Sequence, residues 1–283
     1  MLALTDPRVR VRRVADVVEA SWASSSGGSD VGPCVGVLAA LALLGQRDAD
    51  GPDPAGQIIG SSDEEIAQLL MEVWCLFTIT RPELAFRCGP FAEWLNAEPL
   101  DPQLVSAAAA VARAAVKAGV LDLTLDLDVA REVDLLGHVY TQMQSQRARQ
   151  ARGEFYTPPE VAEVMAAMIV AGSGSSVCDP TAGTGGLFRA AAKVLRAGGR
   201  DPHEVRWVGC DISRIAVAGL AVNAHIWGLG PNIVIGCANS LAEPDWQVRA
   251  LREQQTAIEA QESRVKAAGL LVALELLTAG DGR

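Results

Sequence analysis

Acidic residues and glycines follow apolar runs in the second half of the chain. Val177 and Cys178 lead into Asp179-Pro180-Thr181-Ala182-Gly183-Thr184-Gly185-Gly186, and a later apolar run ends in Asp211. Glycine lets a ligand approach the backbone closely, and the N-terminus of the helix that is expected to follow favours an anionic group such as a carboxylate. A second carboxylate can accept both hydroxyls of a ribose. These residues therefore indicate a site for a nucleotide-like ligand.

The glycine turn does not match two common phosphate-binding patterns. A P-loop requires Lys followed by Ser or Thr after its glycines, and Leu187-Phe188 follows here. The dinucleotide pattern G-x-G-x-x-G is not spelled either, and Asp179-Pro180 opens the turn instead. A purely structural tight turn stays open as the alternative on these letters alone, so the surrounding elements must decide.

The elements around the turn repeat a strand–turn–helix order. We expect strands at 177–178, 205–210 and 233–237, with helices at 187–195 and 215–225 between them. Such a repeat predicts a parallel sheet with right-handed crossovers, and ligands bind beyond the carboxyl ends of its strands. Asp179, Asp211 and Asn239 all fall there. The Asn239 amide both donates and accepts, so it suits an adenine edge.

The N-terminal half is expected to be helical. Helices are predicted at 11–22, 35–44 and 103–118, and Ser62 with Glu65 forms the pattern of a capping box for another. Residues 45–60 carry Gly, Asp and Pro and are interpreted as a surface loop. The stretch 121–127 alternates Leu with polar residues like a short strand, and an extended loop fits it equally.

A last helix of this half begins at Asp134 and leads to an arginine cluster. Arg147, Arg149 and Arg152 have two interpretations: a solvated helix end that complements the helix dipole, or a phosphate-facing patch at the mouth of the site. In the second case they contact DNA. His138 on the same helix is interpreted as structural.

Composition limits the function classes. The chain has 283 residues, 49% of them hydrophobic, and a net charge of -10. A stand-alone nucleic-acid binder presents a basic face, so contact with DNA here needs a local basic patch or a partner subunit. The six cysteines form no CxxC pair, so we expect no metal site, and Cys178, Cys210 and Cys237 are expected to be buried. A cytoplasmic setting is the simplest. The apolar run 35–44 is too short to cross a membrane, which takes about 20 residues.

The order of motifs resembles the modification subunit of type I restriction systems, which is an adenine-N6 DNA methyltransferase. The resemblance rests on five motifs between residues 134 and 241, taken in chain order: Asp134-x-Leu136-Gly137-x-x-Tyr140, Gly153-Glu154-Phe155-Tyr156-Thr157-Pro158, Asp179-Pro180-x-x-Gly183-Thr184-Gly185-Gly186, Gly209-x-Asp211 and Asn239-Ser240-Leu241. It implies an α/β fold in which a helical N-terminal domain, 1–152, precedes an incomplete Rossmann-like methyltransferase domain, 153–246, and a C-terminal helix, 247–283.

The resemblance also implies S-adenosylmethionine as the cofactor. Phe155, Tyr156 and Thr157 would then line its methionine end, and the turn from Asp179 to Gly185, with Pro180, Thr181 and Gly183, would cradle its amino-acid part. Asp211 would take the ribose, Ile212 would stack on the adenine, and Asn239 would accept from the adenine amino group.

The chain departs from the family at the base-flipping motif. The family places Asn-Pro-Pro-Tyr or Asn-Pro-Pro-Phe after its fourth strand to hold the flipped adenine. Residues 160–283 contain no Pro-Pro, and Glu243-Pro244-Asp245-Trp246 either substitutes for it or opens a helix. The expected function is adenine-specific DNA methylation within an assembly that has a specificity subunit or a second methyltransferase subunit. The alternative is a catalytically inactive cofactor-binding scaffold or regulatory subunit that needs a partner chain.

The C-terminal helix carries one apolar stripe. Leu251, Ile258, Val265 and Val272 recur every seven residues. With only three strands visible, strand one is left at a sheet edge, and an exposed apolar edge invites pairing. We expect Val177 and Cys178 to be inside and the helix to cover that edge, with a partner chain as the second choice.

Overall fold

The computed structural model of the protein describes residues 6–25, 30–44, 53–144, 157–170 and 176–280, with side chains as far as residue 270. The predictions for Phe155, Tyr156, Arg147, Arg149 and Arg152 lie outside these ranges, as does the domain boundary predicted at residue 152.

The first half of the described chain is helical, as predicted. The helix Gly32–Leu44 is apolar on every side and almost wholly buried, and the helices at 63–80, 89–92, 102–117 and 120–124 pack against it. The predicted capping box is confirmed, because Ser62 Oγ accepts from Glu65 N and the Glu65 carboxylate accepts from Ser62 N. The helices of this half are α1 Pro7–Ser25, α2 Gly32–Leu44, α3 Pro54–Gly60, α4 Asp63–Thr80, α5 Pro82–Ala85, α6 Gly89–Ala92, α7 Pro102–Lys117, α8 Val120–Thr124, α9 Leu127–Glu132 and α10 Leu135–Met143.

Two local predictions in this half were wrong. Residues 121–127 form no strand. They contain most of α8 and the start of α9, and the Asp126 side chain accepts hydrogen bonds from Asp128 N and Val129 N at the start of α9. The alternating leucines do not share one buried face, since Leu121 and Leu123 are buried while Leu125 is exposed. The predicted loop 45–60 contains α3, which the Asp53 side chain caps.

The second half alternates helices with a small parallel sheet. Its elements are α11 Pro159–Val170, β1 Ser176–Asp179, α12 Gly186–Ala197, β2 Arg206–Asp211, α13 Arg214–Ile226, β3 Ile233–Cys237 and α14 Trp246–Gly280. The strands pair in the order β1-β2-β3, all parallel, with Asp179 opposite Gly209 and Asp211 opposite Cys237. The predicted α/β arrangement is thus confirmed at the level of a mostly helical chain with a three-stranded parallel sheet.

The central strand packs on both faces because its side chains alternate. Trp207 and Gly209 face the helices, and a Cβ at Gly209 would lie only 2.9 Å from Leu220 and 3.1 Å from Phe188. On the other face, Val208 and Cys210 pack against Trp246 of α14. One hydrophobic core runs from Val11 in α1 to Ile235 in β3. The helical half and the sheet therefore share a core.

The C-terminal helix covers the β3 edge of the sheet. Gln254 Nε2 donates to Ile233 O at 2.7 Å, and Arg87 Nε donates to Ile235 O at 2.9 Å, so these two carbonyls, which point away from β2, have partners. Trp246 anchors the start of the helix over Gly236, where a Cβ would lie 2.7 Å from its ring. The expectation that this helix covers the β1 edge was wrong, because its anchor residue lies over β3.

The burial of β1 and α14 also differs from the prediction. Cys178 is exposed and Val177 is only half-buried, so the outer edge of the sheet at β1 is open within the described chain. Along α14, the buried positions are Trp246, Ala250, Gln254 and Gln261, whereas Leu251 and Val265 of the predicted stripe are exposed. The helix therefore packs through a face that includes two glutamines.

Candidate functional site

The glycine turn leaves β1 and folds over the end of β2. Ala182 N donates to Cys210 O at 2.7 Å, and Gly185 N donates to Ala182 O at 2.8 Å, which closes the turn. Gly183 and Gly185 adopt φ of 55° and 96°, in the left-handed region that favours glycine. The turn then passes directly into α12, so its N–H groups lie at a helix N-terminus as predicted.

Glycine is required at Gly185 both because φ is positive and because a side chain has no room there. A Cβ there would lie 2.6 Å from Leu220 Cδ1 and 3.0 Å from Trp227 Cζ3. The next residue, Gly186, has no atom within 4 Å of its Cβ position. Gly185, the second glycine of the turn, thus allows the start of α12 to lie against α13.

Asp211, at the end of β2, holds the turn in place. Its Oδ2 accepts from Gly183 N at 2.9 Å, and its Oδ1 accepts from Ser213 N at 2.8 Å. A carboxylate has about four lone-pair sites, so each oxygen can accept a second hydrogen bond from a ligand. The side chain is half-buried, which leaves one side open for such a ligand.

Asp179 lies buried at the start of the turn. Its Oδ1 accepts from Thr181 N at 3.0 Å, and Pro180 and Thr181 are exposed around it. Burial raises the pKa of the Asp179 carboxyl, and the charge of Asp211 raises it further, against the lowering effect of the Thr181 hydrogen bonds. The site therefore holds two close carboxyl groups, and a cationic ligand group would relieve their repulsion.

We expect Asp179→Asn to raise the unfolding free energy of the ligand-free protein at pH 7. Because the folded pKa is raised, the stability linked to this group is present below the unfolded value, about pH 4, and is lost as the pH rises through the folded pKa. The amide removes that loss. Urea unfolding at pH 7 and near pH 4.5 measures the difference, which should shrink at the lower pH. A variant less stable than the wild type at pH 7 would contradict this account.

Ile212 and Asn239 lie at the same end of the sheet. Ile212 follows Asp211 and is 63% exposed, so its apolar face is available to a ligand. Asn239 follows β3 and is exposed, and its Oδ1 accepts from Leu241 N at 3.2 Å. Ala238 N donates to Asp211 O, which links the ends of β2 and β3. The structure therefore brings Asp179, Asp211 and Asn239 to one edge, as predicted.

A network of buried hydrogen bonds around Asp134 supports the glycine turn. Sequence patterns did not predict that these residues would contact one another. Asp134 caps α10 by accepting from Gly137 N, and it also accepts from Thr184 Oγ1 and Asn223 Nδ2. Burial raises the pKa of the Asp134 carboxyl. Its place in the first recognised motif was the only signal, because Asn223 lies far from it along the chain.

The α10 helix makes a second contact with the site. Tyr140 Oη and Ser213 Oγ lie 2.7 Å apart, and Ser213, two residues after Asp211, caps α13. Asp134 and Tyr140 therefore hold α10 against both the glycine turn and the end of β2. Thr157, the one described residue of the predicted methionine-end group, is half-buried just before α11.

Comparison with known families gives a match for the segment that contains the glycine turn. Residues 131–260 match the model of the N-6 DNA methylases. Over this segment, which is less than half of the chain, the sequence is similar to the N-6 DNA methylases. The match includes α10, the glycine turn, Asp211 and Asn239. The polar network around Asp134 and the carboxyl edge of the sheet therefore both lie within the matched segment. No curated protein matches the chain in a sequence comparison. In the part of the chain that is described, no helix combines the length and apolar character that a membrane span needs.

Proposed function

We propose that this chain is an S-adenosylmethionine-binding subunit of an adenine-N6 DNA methyltransferase in a DNA-modification system, similar to the modification subunit of type I restriction systems. The observation that carries the proposal is the arrangement of Asp179, the glycine turn and Asp211 at the carboxyl edge of one parallel sheet, within a segment that is similar to the N-6 DNA methylases. The cofactor supplies the methyl group. The protein supplies its orientation.

Each side chain has a role in this proposal. Asp211 accepts from the ribose hydroxyls through its free lone pairs, and Ile212 stacks on the adenine with its exposed face. Asp179 faces the positively charged amino group of the cofactor, and Thr181 and Gly183 approach its amino-acid part. Asn239 accepts from the adenine amino group. Phe155, Tyr156 and Thr157 are proposed to line the methionine end.

In this proposal the target base is held by residues outside this sequence, and a partner subunit is their proposed source. Residues 160–283 contain no Asn-Pro-Pro sequence, so the residues that hold the flipped adenine come from elsewhere. The β1 edge is where a further parallel strand can join, because the β3 edge is already blocked by Arg87 and Gln254. With a net charge of -10, the chain also gains from a partner that brings DNA.

Methyl transfer from labelled S-adenosylmethionine to duplex DNA tests this function. We expect N6-methyladenine, detected by mass spectrometry, when the chain is combined with the products of its neighbouring genes, and little or none with the chain alone. Omitting each partner in turn identifies the one that supplies the target-base residues. Methylation of cytosine instead of adenine would contradict the proposal.

The second candidate is an inactive cofactor-binding scaffold or regulatory subunit, and the absent Asn-Pro-Pro motif favours it. The two candidates differ in one result. In the scaffold case, the assembled complex with the chain's site disabled by Asp211→Ala methylates DNA as well as the wild-type complex. In the catalytic case, that variant complex loses methylation.

A further inference from the structure

A cavity of about 450 Å³ opens between α1, one side of α10, the start of α11 and one side of α12. Its lining includes Arg12, His138 and Arg189 but none of Asp179, Gly183 or Asp211. Among the described residues that are proposed to hold the cofactor, none lines the cavity, although Pro158, next to Thr157, does.

Arg189 brings a buried charge to the wall of this cavity. The residue is only 4% exposed, and its Nη1 donates to Glu132 O at 2.8 Å. Among the described residues, its Nε has no hydrogen-bond partner. A buried charged donor without a partner is costly, so a negatively charged group close to this guanidinium would stabilise it.

Arg12 adds a second guanidinium from α1. It is exposed, and within the described residues it forms no ion pair. His138, half-buried on α10, faces it: burial lowers the pKa of His138, and the charge of Arg12 lowers it further, while Asp134 and Asp16 act in the opposite direction. The imidazole therefore lies within electrostatic range of the Arg12 guanidinium.

The acidic residues of the wall already have partners. Glu160 pairs with Arg8 at 2.9 Å, and Glu132 pairs with Lys193 at 2.8 Å. Asp134 accepts from three donors of its own network. Among the described residues, neither Arg12 nor Arg189 forms an ion pair with a carboxylate, although the charge of Arg189 acts on Asp134 and opposes the rise of its pKa.

We propose that this cavity binds a phosphate group between Arg12 and Arg189. The planar guanidinium donates two parallel N–H bonds to phosphate oxygens, and two such groups with a neighbouring histidine form a phosphate site of common chemistry. The phosphate belongs either to a small phosphorylated molecule or to a DNA backbone. The second source would deepen the proposed function, whereas the first is independent of it.

Titration with inorganic phosphate at constant ionic strength tests the site on the full chain. We expect phosphate to raise the melting temperature, and Arg12→Ala to weaken this binding about tenfold or more through the loss of a charged donor. Arg13→Ala is the matched control, because Arg13 is an exposed neighbour on α1 that does not line the cavity. It should leave phosphate binding unchanged.

The His138 imidazole gives a second readout by NMR. The chain has three histidines, and His138→Gln assigns the signal. We expect bound phosphate to raise the pKa of His138, since an anion offsets the charge of Arg12. Should millimolar phosphate change neither the melting temperature nor this pKa, or should Arg12→Ala and Arg13→Ala weaken binding equally, the site does not exist.

Two further titrations identify the source of the phosphate and test the phosphate site independently of the proposed cofactor site. A short DNA duplex that competes with phosphate, and that Arg12→Ala weakens more than Arg13→Ala, identifies the DNA backbone as the source. A duplex that does not compete identifies a small phosphorylated ligand. S-adenosylmethionine should bind equally well with and without phosphate, so a failed phosphate site leaves the cofactor proposal intact.

Discussion

Asp211→Ala should weaken the binding of S-adenosylmethionine by roughly 5- to 150-fold, which corresponds to about 1–3 kcal/mol for leaving polar groups without their partner. Two effects contribute. The ribose hydroxyls lose their acceptor, and Gly183 N loses the carboxylate oxygen 2.9 Å away that holds the turn. Calorimetric titration of the variant against the wild type measures the loss.

Two further variants separate these effects. Asp211→Asn keeps one oxygen acceptor and the shape of the side chain, so it should retain the turn while binding the cofactor more weakly than the wild type. Asp122→Ala removes an exposed carboxylate on α8, remote from the sheet edge, and should bind normally. Normal cofactor binding by Asp211→Ala would remove this residue from the proposed site.

Gly185→Ala should lower the unfolding free energy by about 2–5 kcal/mol, from a left-handed φ that disfavours a Cβ and from overpacking. The observed φ is 96°, and the added carbon would lie 2.6 Å from Leu220 Cδ1. Relief requires α12 to move away from α13, which displaces the turn and weakens the cofactor site as well. Urea unfolding measures the loss.

Gly186→Ala is the matched control for this glycine. It lies one residue further along, inside α12, with open space around its Cβ position. Alanine there should change the unfolding free energy by less than about 1 kcal/mol. Equal destabilisation by the two substitutions would contradict the packing account of the turn.

The sheet and the turn could be predicted from the sequence because their signals are local. Apolar runs that end in Asp211 and Cys237 have few alternatives to a strand, and glycines after Asp179 require a tight turn. The prediction of a strand or an extended loop at 121–127 was wrong because alternating leucines and polar residues are also compatible with two short helices. Asp126 caps the second of them. Local pattern alone did not separate these structures.

Features that depend on distant parts of the chain could not be predicted in this way. The Asp134 network joins α10, the glycine turn and α13, whose residues lie far apart in sequence. The exposure of Cys178 depends on which distant element covers its face of the sheet. The packing of α14 through Gln254 depends on a carbonyl of β3 that points away from β2 and accepts a hydrogen bond from Gln254 instead. Each is a tertiary effect that overrides local pattern.

Calorimetric titration of the wild-type chain with S-adenosylmethionine tests the central claim most directly. The proposed site at Asp179, the glycine turn and Asp211 predicts saturable binding of one cofactor per chain, and Asp211→Ala should reduce the affinity. If the folded wild-type chain shows no heat of binding with the cofactor at millimolar concentration, the assignment of this edge as a cofactor site is wrong.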